Sequence, residues 1–336
     1  MKIKIFIAVC VSFIAILLGL VIGSVNIPPA NVMSIIGHNV FGLNLSEHVT
    51  PASAAIVWNL RLPRTLLAFL VGAALSVSGA VMQSVLRNPL ASPFTLGVAS
   101  GASFGASLVI FWGIALPVIS AFTLPILGFS FGLATILLVI AITSRLDMRM
   151  ENHSIILMGM VFSLFINAIT TLMFALFREN AQRMILWQMG SFAMRGWDAI
   201  FILSPVVLAG IFLVNRYKWE LDVMTFGEEE AQSIGVNTKN AKRILLMYGA
   251  ALTGSSIAFV GTIGFVDLVV PHIVRKLFGA AHKYVIPMSA MAGGSFMVFA
   301  DLAARTVIAP VELPVGAVTA IIGAPFFAYI YLGGRR

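Results

Sequence analysis

Charge is scarce in this chain. Only 10% of its 336 residues are Asp, Glu, Lys or Arg, against roughly 25% in an ordinary soluble domain, and that shortage excludes a water-soluble globular protein. Acid is scarcer than base, with thirteen Asp and Glu against twenty-one Lys and Arg. A transmembrane barrel is excluded too, because its strands alternate polar and apolar residues and its lumen needs charge. Runs such as residues 5–23 do not alternate. Cysteine is nearly absent: Cys10 stands alone inside the first apolar run and can form no internal disulfide. The five histidines, 38, 48, 153, 272 and 282, show no spacing that would hold a metal. No Ser/His/Asp constellation and no mid-span pair of carboxylates is visible, so the sequence offers no catalytic residues and implies no resident cofactor.

What the chain does contain is apolar length. It is 60% hydrophobic with a mean hydropathy of +1.01, and long stretches carry no ionisable side chain, as about 30 Å of hydrocarbon demands of a spanning helix. The reading is an all-α, polytopic membrane protein, with residues 1–336 forming a single transmembrane domain. Breaks at charged and Pro/Gly-rich points place about ten transmembrane helices at roughly 5–25, 62–85, 93–112, 117–143, 154–176, 198–214, 244–265, 268–280, 284–303 and 314–332. Lys2 and Lys4 precede the first run as in a signal peptide, but nineteen uncharged residues exceed the usual apolar region of about 7 to 15. A retained first helix is expected.

Cytoplasmic loops retain positive charge. With the N-terminus inside, fifteen of the twenty-one basic residues fall on the cytoplasmic side, including all seven lysines as well as Arg149, Arg335 and Arg336. Arg61, Arg64, Arg178, Arg183, Arg195 and Arg305 fall outside. Both termini are therefore expected to be cytoplasmic. Two extramembrane stretches stand out. Residues 26–60, with Pro28, Pro29 and Pro51, read as an external loop with a short surface helix. Residues 215–243 concentrate five of the thirteen acids and read as a cytoplasmic segment that touches a soluble partner. A faint repeat, GAAL from Gly72 and again from Gly249, sits on spans that run in opposite directions, as an inverted repeat would.

More specific are the long stretches WNLRLPRTLLAFLVGAALSVSGAVMQSVLRNPLASPFTLGVASGASFG from Trp58, the cytoplasmic GEEEAQSIGV, LMYGAALTGSSIAFVGTIGFVDLVVPHIVRKLFG, and DLAARTVIAPVELPVGAVTAIIGAPFF near the end. Here the chain resembles the permease subunit of the FecCD family, the type II ABC importers of iron–siderophore complexes, haem and cobalamin. The resemblance covers essentially the whole length. It implies the type II importer permease fold, a homodimer in the cytoplasmic (inner) membrane of a prokaryote, two separate ATP-binding subunits inside, and a substrate-binding protein outside. No nucleic acid partner is implied. The sequence contains no G-x-x-x-x-G-K-[ST] loop to cradle a nucleotide, which places hydrolysis on another polypeptide and makes this chain a transport subunit, not an enzyme.

By the same resemblance, Arg61, Arg64 and Arg305 are external arginines that meet acids of the binding protein. A guanidinium suits that role, since it presents a planar fork to a carboxylate. By residue type alone the three read equally as interfacial anchors. Gly227, Glu228, Glu229, Glu230, Ala231, Ser233, Gly235 and Val236 match the segment that couples to the ATPase. A helix starting near Glu228 would place three acids where the macrodipole favours them, with Gly235 closing it in a left-handed conformation; a solvated acidic loop is the alternative. Leu90, Asn152 and His153 match the internal gate. Asn152 and His153 stand where the cobalamin branch has small hydroxyl residues, and Asp267 stands where glycine is commoner. Asp267 and Asp301 lie near span ends, where a carboxylate is usually solvated. An ion- or proton-coupled secondary transporter, the alternative function, would need more ionisable residues at depth than these. The cargo, whether iron–siderophore, haem, cobalamin or an oxyanion such as molybdate, is not legible.

Overall fold

In the computed structural model, described for all residues except 24, 118, 148, 149, 194 and 334–336, the chain folds into helices and no strand is found among the described residues. The basic positions Arg149, Arg335 and Arg336 lie outside those residues. The helices run in order α1 (Lys2–Val21), α2 (Pro29–Phe41), α3 (Pro51–Ala55), α4 (Leu62–Val85), α5 (Val98–Trp112), α6 (Thr123–Leu146), α7 (Asn152–Leu176), α8 (Arg178–Gln188), α9 (Trp197–Arg216), α10 (Lys218–Met224), α11 (Glu228–Ser233), α12 (Thr238–Val260), α13 (Val266–Phe278), α14 (His282–Thr306) and α15 (Val315–Gly333). A helix stands at each of the ten expected positions, as α1, α4–α7, α9 and α12–α15, and among the described residues seven stretches, those of α1, α4, α6, α7, α9, α12 and α14, are long and apolar enough to cross a bilayer. A π-helical turn, Ile56–Arg61, joins α3 to α4, so the external loop holds two short helices where one was expected.

Burial sorts the spans. The stretch ending in α4 is 83% buried over its most apolar window, whereas α7 is 17% and α1 22% buried, so α4 forms the centre and α1 and α7 lie at the rim. In lipid, apolar side chains gain little by meeting each other, and helices are held by close backbone approach through small residues. Gly72 of α4 and Gly293 of α14 show this directly: a Cβ on either would collide with the carbonyl of the other. The two helices that carry GAAL also meet. Ser78 Oγ donates to the Gly249 carbonyl at 2.7 Å, and Thr253 Oγ1 donates to Ser78 Oγ at 2.9 Å, which fastens α4 to α12.

Several boundaries differ from expectation for local reasons. The α12 helix begins at Thr238, six residues before the expected 244, because the Asn237 side chain accepts the Asn240 N–H and caps it. Its end comes at Val260, where Gly261 turns to φ +79°. The chain then re-enters as a non-helical stretch, and α13, thirteen residues long, covers about 20 Å at 1.5 Å per residue and cannot cross the bilayer alone. Irregular backbone at this depth is tolerated only inside protein; Gly261, Ile263 and Val266 are all buried, and the Val260 carbonyl accepts from Ser191 N–H at 2.8 Å.

Candidate functional site

At the external end the three arginines converge. Arg61 donates to the carbonyls of Leu20 at 3.0 Å and Val21 at 2.8 Å, and also to that of Val25. Arg305 donates to the Gly19 carbonyl at 2.6 Å. Together they supply partners to the last carbonyls of α1, which no helical N–H can reach, at its negative end. Arg64 grips Asp301 through Nε and Nη2, both 2.9 Å from Oδ1, and meets Glu312 Oε1 through Nη1 at 2.8 Å. Arg305 Nε lies 3.5 Å from Asp301 Oδ2. A cavity of about 290 Å³ opens between them, lined by all three arginines, Leu60 and Glu312. Asp301 is thus buried and paired. Glu312, 44% exposed, is the outermost charge of the cluster.

At the cytoplasmic end α11 begins at Glu228 with three acids in its first turn, and Gly235 follows at φ +91°. Gly227 takes φ +153°, a backbone conformation that L side chains rarely adopt, so glycine suits this entry. Ala231 is buried, while Glu229, Glu230, Ser233 and Gly235 face outward. Gln232 Nε2 donates to Thr238 Oγ1 at 2.9 Å, and Val236 is buried beneath the turn.

The gate residues are placed but not joined. Leu90 is 45% exposed in the NPLA turn, its N–H held by Asn88 Oδ1 at 2.9 Å. Asn152 and His153 open α7, with His153 exposed; among the described residues no hydrogen bond links either to Leu90. Asp267 corrects the expectation of a solvated carboxylate: it is 1% exposed at the start of α13.

Two polar clusters escaped sequence reasoning. In the first, His282 donates backbone N–H to Asp222 Oδ1 at 2.8 Å and its Nδ1 lies 2.6 Å from the same oxygen, leaving Nε2 to accept from Ser84 Oγ at 2.7 Å. Arg275 continues it, donating to Ser84 Oγ at 3.1 Å and to Gln83 Oε1, while Gln83 Nε2 donates to the Asp267 carbonyl at 3.2 Å. This ties α10 to α4, α13 and α14. The second centres on Lys242 of α12, which is fully buried, donates to the Met150 carbonyl at 3.0 Å and pairs with Glu228. A signal existed for Lys242: it shares the spacing i, i+3, i+4, i+7 with Leu245, Leu246 and Gly249, the stripe by which a helix faces its core. Asp222 and His282, sixty residues apart, carry no such mark.

Comparison with known proteins agrees with this architecture. The FecCD transport family matches residues 11–333. The chain is 44% identical over 323 residues to the ABC transporter permease protein YvrB of Bacillus subtilis, covering 96% of this chain and 91% of that one. It is 36% identical to the hemin transport system permease protein HmuU of Yersinia pestis, covering 83% and 84%, and 33% identical to the molybdate import system permease protein MolB of Haemophilus influenzae, covering 90% and 88%. A solved structure, described as an inward-facing conformation of a transporter assigned to the metal-chelate ABC type, superposes with a TM-score of 0.86 at 28% identity, covering 99% of this chain and all of that one. The apolar helices, the ordered motifs and these likenesses lead to one assignment: the chain belongs to the FecCD transport family and is a multi-pass permease subunit of an ABC importer in the cytoplasmic membrane.

Proposed function

We propose that the chain works as a homodimer whose two copies enclose a pathway for an iron–siderophore complex, with haem or cobalamin as the nearest variants of the cargo. Two ATP-hydrolysing subunits act on α11 from the cytoplasm, and a substrate-binding protein delivers the chelate to the face that carries Arg61, Arg64 and Arg305. Leu90, Asn152 and His153 form the inner gate. The observation that carries this reading is α11 itself: a six-residue helix with an acidic, outward-facing edge, fixed to the bundle by Lys242 and the Gln232–Thr238 bond. So short a helix is not stable alone, and a membrane protein that anchors one at its cytoplasmic surface presents a fixed lever to a soluble partner. Relatives named for hemin and Fe(3+)-citrate transport support an iron chelate as cargo. The test is reconstitution in proteoliposomes with the ATPase and the binding protein, using a radioiron-labelled ferric siderophore. Uptake should require ATP; uptake that continues without ATP, or that follows an imposed ion gradient, would refute the reading.

A further inference from the structure

We propose that Lys242 is the positioning residue that joins the ATPase-facing helix α11 to the gate segment 150–153, so that the two move as one body. The inference rests on the coupling and gating roles proposed above and adds the part that connects them. Lys242 is buried completely at the start of α12, and its ammonium meets one acceptor from each side: the Glu228 carboxylate of α11 and the Met150 carbonyl, two residues before Asn152. Asp147 and Arg87 lie within electrostatic reach of it, the first attracting and the second repelling.

Burial gives the link its stiffness. Were Lys242 exposed, water would replace either partner at little cost. With the ammonium itself out of water and Glu228 only 26% exposed, parting from one acceptor leaves a buried charge short of a partner, which is unfavourable, so Glu228 and Met150 tend to stay with Lys242 as the group moves. Met150 provides an independent sign of tension at this point. It holds φ +53°, a left-handed conformation that is an outlier for a bulky residue and that persists only where surroundings impose it. Its side chain is fully buried and its carbonyl is aimed at Nζ. The other attachments of α11, Gln232 to Thr238 and buried Ala231, do not reach the gate segment. Among the described residues, force entering at Glu229 and Glu230 has a bonded route to residue 150 through the ammonium.

The experiment uses the full permease assembled with its ATPase in nanodiscs, on a Cys10→Ser background, with spin labels at Glu47→Cys in the external loop and Glu151→Cys beside the gate. Pulsed EPR reads the distance between them with and without ATP plus vanadate. The unmodified pair should shift on trapping nucleotide. With Lys242→Met the ATPase should still assemble and hydrolyse, while the nucleotide-induced shift falls about tenfold, at the upper end of measured effects of connecting residues on coupling. Because Lys242→Met strands the Glu228 carboxylate, the double variant Lys242→Met with Glu228→Met is made beside it; it removes both charges and should show the same lost response. A full shift in either variant overturns the proposal, and so does failure of both to assemble, since the pair would then hold the fold and not the link. If the parent complex itself shows no nucleotide-dependent shift, the coupling reading falls first and the Lys242 inference with it.

Discussion

Glu312→Gln is the most discriminating single change at the external face. Glu312 is 44% exposed and holds Arg64 Nη1 at 2.8 Å, while Arg64 keeps its Nε and Nη2 bonds to Asp301, which is 1% exposed. An exposed pair of this kind contributes about 0–1 kcal/mol, so thermal stability should hardly change. If the arginines meet carboxylates of the binding protein, Glu312 competes for the same donor, and its neutralisation frees one charge-assisted hydrogen bond. About 1.4 kcal/mol of that gain appearing in docking would be a tenfold lower Kd. The assay is titration of the nanodisc-embedded complex with its substrate-binding protein at low and physiological salt, where a rim charge should act mainly on the association rate and fade as salt rises. Arg64→Gln is the control in the other direction: it leaves Asp301 with Arg305 alone at 3.5 Å, costs about 3–5 kcal/mol, and should weaken docking. Docking that is unchanged or weaker in Glu312→Gln would show that the arginines only fasten α1 to α4 and α14.

Replacing Glu228, Glu229 and Glu230 together with lysine should uncouple hydrolysis from uptake, read as ATP consumed per siderophore transported; a normal ratio would mark α11 as an ordinary surface turn. Gly72→Val forces a side chain into the Gly293 carbonyl and should cost about 3 kcal/mol, seen as a lower midpoint in detergent melting, with no loss if the α4–α14 contact is unimportant. Ser78→Ala removes two buried hydrogen bonds between α4 and α12 and should cost about 1–2 kcal/mol in the same melt.

The spans were legible because apolar length is nearly sufficient evidence of a membrane helix, and α4 emerged with its boundaries at 62 and 85 because Pro63 and the pair Arg87–Asn88 bracket it in the sequence. Boundaries failed where charge misled. Lys239, Lys242 and Arg243 fall by sequence in the cytoplasmic segment 215–243, ahead of a span expected from 244, yet they lie inside α12, whose start is set by the Asn237 cap. The opposite error, extending that span to 265, came from counting Thr262, Ile263 and Phe265 as helical when Gly261 had already turned the chain. Site residues were legible as types and not as environments. That Arg61 serves the carbonyls of Leu20 and Val21 at the end of α1 and of Val25 beyond it has no sequence signature, because a carbonyl is the same in every residue. Likewise nothing near His282 announces Ser84, 198 positions earlier, as its partner.

The distribution of polar bonds also bears on how the bundle can move. Between α4 and α14 the contact at Gly72 and Gly293 is shape against shape, and such an interface resists separation far more than it resists a small tilt or slide. At the two ends the contacts are directional: Arg61, Arg64 and Arg305 with Asp301 outside, Lys242, Arg275 and His282 with Glu228 and Asp222 inside. A buried charge keeps its partner because losing it is so unfavourable, so each end behaves as a knot that carries its attached helices along when it is displaced. A bundle built with charged knots at both faces and, between them, glycine contacts and a few hydroxyl hydrogen bonds such as Ser78 to Gly249 transmits a pull at one surface as a tilt of whole helices, and it needs no ion bound at mid-depth to do so. That division of labour is what an importer worked by soluble proteins on both sides of the membrane requires.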